Sequence, residues 1–189
     1  MNTWKTFAAH EVTHSVAHYL TTLHDLHVKK GYARVSDVAK VLDVTKGSVS
    51  VQMKHLKEKG LVVEDEARHL SLTPNGETIA REVLSNRQVL IQFINSVLGV
   101  DPEQAEIDAC KIEHLLSRDT SHHLLGLVQL LQSDEPVARR FREFFREYKI
   151  HCPSHEHCNL CSVECLAEED KAASARGRTA NLKASHPGG

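Results

Sequence analysis

A helix, a short helix, a third helix and a hairpin follow one another at the start of the chain. Two proline-capped helices come next, and four cysteines crowd Cys152–Cys165 near the end. These three observations predict a mainly α fold. A winged helix-turn-helix leads, an α-helical dimerisation domain follows, and a short Cys-rich C-terminal segment closes the chain. The expected divisions are 1–73, 74–149, a Cys/His-rich segment at 150–166 and a disordered tail at 167–189, small and polar and ending in Pro-Gly-Gly.

Each element has a local cause. Over 4–29, Val12, Val16, Tyr19, Leu20, Leu23 and Leu26 recur at helical spacing, and Gly31 stops the helix. Ser36 is the expected N-cap of a short second helix with Val38, Ala39 and Leu42 inward. Thr45 caps a third, whose inner face is Val49, Met53 and Leu56 and which Gly60 closes. The period then changes to that of strands: Leu61-Val62-Val63 and Leu70-Ser71-Leu72 flank a polar stretch and form a hairpin. Thr73-Pro74 pairs a cap with proline at the first helical position, opening a long helix that runs to Gly99. Asp101-Pro102 repeats the signal for a helix through Leu116. Two more are expected over 119–131 and 136–148. No internal repeat is present.

Hydrophobic residues are 41% of 189, enough for a core, and no apolar run is long enough to span a bilayer. The first nine residues lack the charged-then-apolar layout of a secretory signal, so a cytoplasmic location is expected. The net charge of −2 gives no global nucleic-acid signature, but a small regulator needs only a local basic face. In a winged helix-turn-helix the third helix enters the major groove. Here Thr45, Lys46, Ser48, Ser50 and Lys54 are small or basic, which permits close approach and phosphate neutralisation, and Arg68 lies at the wing tip. A merely solvated basic helix would have the same charges. The order of elements favours DNA.

Fourteen His and five Cys are the unusual numbers. Cys110, Glu113 and His114 stand at i, i+3 and i+4, so one helical face presents a thiol, a carboxylate and an imidazole, a mixed site for a first-row transition metal. His10, His14 and His18 line one face of the first helix. A metal clamped between the two faces would join them. The alternative is a small core cysteine beside a surface acid.

The stretches Gly31-Tyr-Ala-Arg-Val-Ser-Asp-Val-Ala-Lys-Val-Leu, Ser48-Val-Ser, Leu72-Thr-Pro-Asn-Gly and Asp108-Ala-Cys-Lys-Ile-Glu-His-Leu-Leu-Ser resemble the diphtheria-toxin-repressor and manganese-transport-repressor family over about 10–132. The resemblance implies a homodimer that represses transcription of metal-homeostasis genes from an operator in double-stranded DNA. An enzyme is not expected, nor is a membrane or small organic ligand. It also implies primary metal ligands at Cys110, Glu113 and His114, with His18 at the first-helix position, where the family usually has Met or Asp. Arg87-Gln88 stands where the long helix commonly offers a His, and Glu106 falls near an ancillary ligand position. The larger members carry a C-terminal SH3-like domain, and none is expected in a chain this short and Cys-rich at its end.

Cys and His donors argue for iron(II), zinc or cobalt over manganese, and cellular availability then decides; Fe2+ is the metal expected, with Mn2+ or Zn2+ as alternatives. Cys152, Cys158, Cys161 and Cys165 suit either Zn2+ or an iron–sulfur cluster. One rival reading makes that cluster the sensor of an iron–sulfur or redox-responsive regulator; another is an accessory protein for metal transport or cluster assembly that uses the winged fold for protein contact.

Overall fold

The structure is a computed structural model that describes residues 12–148. In order they form α1 (His14–Lys30), α2 (Val35–Leu42), α3 (Lys46–Glu58), β1 (Val62–Glu64), β2 (Leu70–Leu72), α4 (Pro74–Ile91), a π turn (Gln92–Val97), α5 (Pro102–Ile112), α6 (Arg118–Gln132) and α7 (Pro136–Glu147). Contacts divide the chain into one unit through Arg139 and a second from Arg140. In the described part of the second, the Phe141 and Phe145 rings stack at 5.9 Å and Phe144 lies against Tyr148.

Capping chemistry sets most boundaries. Gly31, at φ 78°, ends α1 in the left-handed region that suits glycine. Thr45 accepts the Ser48 N–H to open α3, and Asp101 accepts those of Glu103 and Gln104 to open α5. Two expectations need correction. The N-cap of α2 is Arg34, not Ser36, and Arg34 makes no side-chain cap. The long helix loosens into the π turn before Gly99, where Leu98 N–H reaches Phe93 O.

The hairpin pairs Val62 with Leu72 and Glu64 with Leu70 in antiparallel register. Its turn places Arg68 at φ 63°, and Leu70 N–H also bonds Ala33 O, fastening the wing to the link between α1 and α2. Leu20, Leu23 and Leu26 of α1 meet Val38, Val49, Met53, Leu56, Val62 and Leu70 in one core. α1 then packs along α4, and α4 against α5 and α6, with Ala105 and Ala109 fully buried. That α1–α4–α5 arrangement brings the first helix of the DNA-binding half to the second half.

The wing is locked onto α4 at its first turn. Thr73 Oγ1 donates to Gly60 O and accepts from Gly76 N–H, while Thr73 N–H bonds Leu61 O. A Cβ on Gly76 would sit 2.1 Å from Leu61 O, a backbone atom that cannot step aside. Alanine normally stabilises a helix relative to glycine by about 1 kcal/mol. Gly76→Ala should instead destabilise by about 1–3 kcal/mol, the range for overpacking. Urea unfolding checks this; a stabilised variant would mean the wing can move off α4.

Candidate metal centre

His14 and His18 stand one turn apart on α1, and their rings meet edge to face at 4.5 Å. The last turn of α5 places Cys110 opposite, with His18 Nε2 3.2 Å from Cys110 Sγ. Single ligand atoms of His14, His18 and Cys110 all lie within 4.8 Å of one another. Donors held by one first-row ion at about 2.0–2.3 Å stand roughly 3–4.5 Å apart, so the cluster has the right scale. Two imidazoles and a thiol, part-shielded from water, fit a first-row divalent ion.

The electrostatics keep the ligands in defined states. Burial lowers the His18 pKa, and His14 and Arg87 lower it further against an opposing pull from Glu113, which favours the neutral imidazole, the form that can ligate. Burial and the adjacent Glu113 carboxylate push the Cys110 thiol up. Metal loading through sulfur therefore displaces a proton. Cys110 is a free thiol.

Glu113 and His114 lie differently from the expectation. α5 stops at Ile112, not Leu116, and both residues stand in the turn beyond it. Glu113 N–H still bonds Ala109 O, but its own carbonyl is taken by Asn86 Nδ2 at 2.9 Å. The Glu113 side chain is completely buried, and Arg87 grips both carboxylate oxygens: Nε to Oε2 at 2.5 Å and Nη2 to Oε1 at 2.8 Å. His114 is buried too, its ring 5.3 Å from that of His14.

Of the expected ligands, His18 and Cys110 are thus in contact, His114 adjoins through His14, and Glu113 is paired with Arg87. His14 belongs to the cluster although it was not among the assigned ligands; its spacing of four from His18 was the available signal. Glu106 is exposed. His10 and Cys152, Cys158, Cys161 and Cys165 lie outside the described residues.

On the other half, Thr45, Lys46, Ser48, Ser50 and Lys54 are all exposed on or at the start of α3, and Arg68 is exposed at the wing tip. Lys57 is instead tied to Glu64 of the wing. Val51, which the sequence did not single out, is 59% exposed on α3.

A winged helix-turn-helix tied through a His/Cys cluster to a second helical domain defines a class: metal-responsive DNA-binding regulators. Comparison with known proteins agrees. Residues 11–70 match the family described as iron dependent repressor, N-terminal DNA binding domain. Residues 73–142 match iron dependent repressor, metal binding and dimerisation domain. The HTH-type transcriptional regulator MntR of Lysinibacillus sphaericus (strain C3-41) is 33% identical over 128 residues, 68% of this chain and 91% of that protein. MntR of Bacillus subtilis (strain 168) is 30% identical over 139 residues, 74% and 97% of the two chains. Among solved structures, T. acidophilum IdeR is similar with a TM-score of 0.52 and 25% identity, over 62% of this chain and 54% of that one. The chain belongs to the iron-dependent repressor family of metal-dependent, DNA-binding transcriptional repressors. No described helix is long and apolar enough to cross a membrane.

Proposed function

We propose that this repressor senses iron(II) at His14, His18, Cys110 and His114, and binds its operator as a homodimer. The observation that carries the reading is the 3.2 Å approach of His18 on α1 to Cys110 on α5, a contact that joins the DNA-binding half to the second domain. The nitrogen and sulfur donors favour iron(II), zinc or cobalt over manganese, and availability in the cell then selects iron. A divalent ion there would supply a crosslink between the two helices. His18 orients α1, which carries the α2–α3 pair on its inner face, and so the separation of two recognition helices is tied to the site.

Dimerisation draws support from apolar side chains left open on the second domain, among them Ile107, Ile112, Leu115, Leu127 and Leu130. In the operator complex Lys46 and Lys54 neutralise phosphates, Thr45, Ser48 and Ser50 allow close approach, Val51 offers methyl groups to thymine, and Arg68 reaches from the wing. The test is anaerobic fluorescence anisotropy on promoter fragments with Fe2+, Mn2+, Zn2+ or chelator. Tight binding only with metal, strongest with Fe2+, is the expected result; binding indifferent to metal would overturn the reading.

Lys46→Ala and Lys54→Ala should each reduce the slope of log affinity against log salt by about 1, since one phosphate contact releases about 0.9 counterion. An unchanged slope in both would remove them from the interface. Cys152, Cys158, Cys161 and Cys165 are proposed to hold a separate centre. Their joint replacement by serine should remove one tightly held zinc or an iron–sulfur absorption while leaving the Cys110 site. Equal metal and absorption in both proteins, purified without oxygen, would show that they hold nothing.

A further inference from the structure

The metal centre contains a cation of its own. Arg87 projects from α4 and meets Glu113 with two parallel hydrogen bonds, in the fork-to-fork geometry that suits guanidinium and carboxylate best. The same guanidinium reaches toward the metal cluster, its Nη2 3.9 Å from Cys110 Sγ. Glu113, fully buried, is the sole carboxylate of the ligand set read from the sequence. The oxygen ligand of the centre is therefore already committed, and a positive charge stands beside the sulfur that an incoming dication must share.

Divalent ions differ in how much this costs them. A hard ion such as manganese relies on carboxylate oxygen and gains least from thiolate and imidazole. For it, Glu113 must release Arg87, which would leave a guanidinium facing the ion across a part-buried site. A softer ion can be held by His14, His18 and Cys110 with Arg87 still on Glu113. Resting on the metal-site reading above, we propose that Arg87 is a specificity-determining residue. It withholds Glu113 from oxygen-preferring ions and so biases the centre toward ions that bind nitrogen and sulfur.

The test is direct metal binding on the full-length protein, without DNA. Free Mn2+ gives a six-line EPR signal that bound Mn2+ loses, so titration yields an affinity. Arg87→Gln should tighten Mn2+ at least tenfold. Cobalt affinity, read from the Cys110-dependent sulfur-to-Co2+ absorption against a Cys110→Ser control, should move less than threefold. The gain must pass through the carboxylate, so Arg87→Gln should have no effect on Mn2+ in a Glu113→Gln background. Arg87→Lys keeps the part-buried charge, and hence the fold, but loses the fork; it should tighten Mn2+ by about threefold. Mn2+ affinity unchanged or weakened in both Arg87 variants, or tightened equally for Co2+, would overturn the assignment. A wild-type protein with no Cys110-dependent Co2+ absorption would overturn the metal centre itself, a separate failure from that of Arg87.

Discussion

His18→Ala should cost about 10–100-fold in operator affinity at an Fe2+ concentration that saturates the wild type, and nothing in chelator. The magnitude follows from coupling: two sites that bias one conformational equilibrium exchange about 1–3 kcal/mol, or 5–150-fold in affinity. The loss is asymmetric because His18 is the imidazole in direct contact with Cys110 across the two halves. Without it, Cys110 loses the α1 imidazole that touches it, and metal no longer couples α1 to α5 through that contact, although α1 still packs along α4. Folding should survive, since His18 is only part-buried and the core of α1 rests on Leu20, Leu23 and Leu26. Cys110→Ser should behave alike. Reciprocity adds a check that a purely structural role would fail: operator DNA should tighten metal binding in the wild type by the same factor and leave the variant unmoved. Wild-type metal dependence in both variants would sink the bridge between α1 and α5.

What could be read in advance was whatever depends on near neighbours. Thr73-Pro74 and Asp101-Pro102 begin helices because the cap and the proline act within one turn, and both signals hold in the structure. The helix pair, the third helix and the hairpin followed from period together with cap and glycine stop signals. Cys110 and His18 came together from a spacing argument and a family resemblance. Three features resisted. Arg34, two residues before Ser36, is the N-cap of α2, and Lys30 pairs with Asp37 across the turn, a partner outside the helix. The π turn ends where Asn95 Nδ2 bonds Val100 O five residues on, a local choice with no signature in composition or period. The end of α5 at Ile112 is set by Asn86, 27 residues away in sequence, which takes the Glu113 carbonyl. Arg87 was visible only as a departure from the family pattern. That it would seize Glu113 depends on how α4 crosses α5, and no local pattern encodes the crossing.

The Arg87–Glu113 pair also carries the largest expected effect on stability. Glu113→Leu should destabilise the metal-free protein by about 3 kcal/mol, near the low end of the cost of breaking a buried ion pair. The low end applies because the Arg87 side chain keeps 26% of its surface in water and can recover some hydration, while Glu113 has none. The penalty belongs to the stranded guanidinium, not to the lost carboxylate, and this gives the prediction its second arm. Arg87→Met combined with Glu113→Leu removes both charges and replaces them with apolar groups of similar volume. That double variant should lie within about 1 kcal/mol of wild type or exceed it. In thermal melts with chelator the single variant should lose roughly 6–12 °C, at about 2–4 °C per kcal/mol for a chain of this size. The Asn86 bond to the Glu113 carbonyl is untouched by either change, so the turn after α5 persists. A practical consequence follows for function: loss of repression in Glu113→Ala would mix unfolding with loss of metal, whereas His18 and Cys110 separate them. If the double variant proved as unstable as the single, the pair would not be the cause, and the packing of the turn around residue 113 would carry the stability instead.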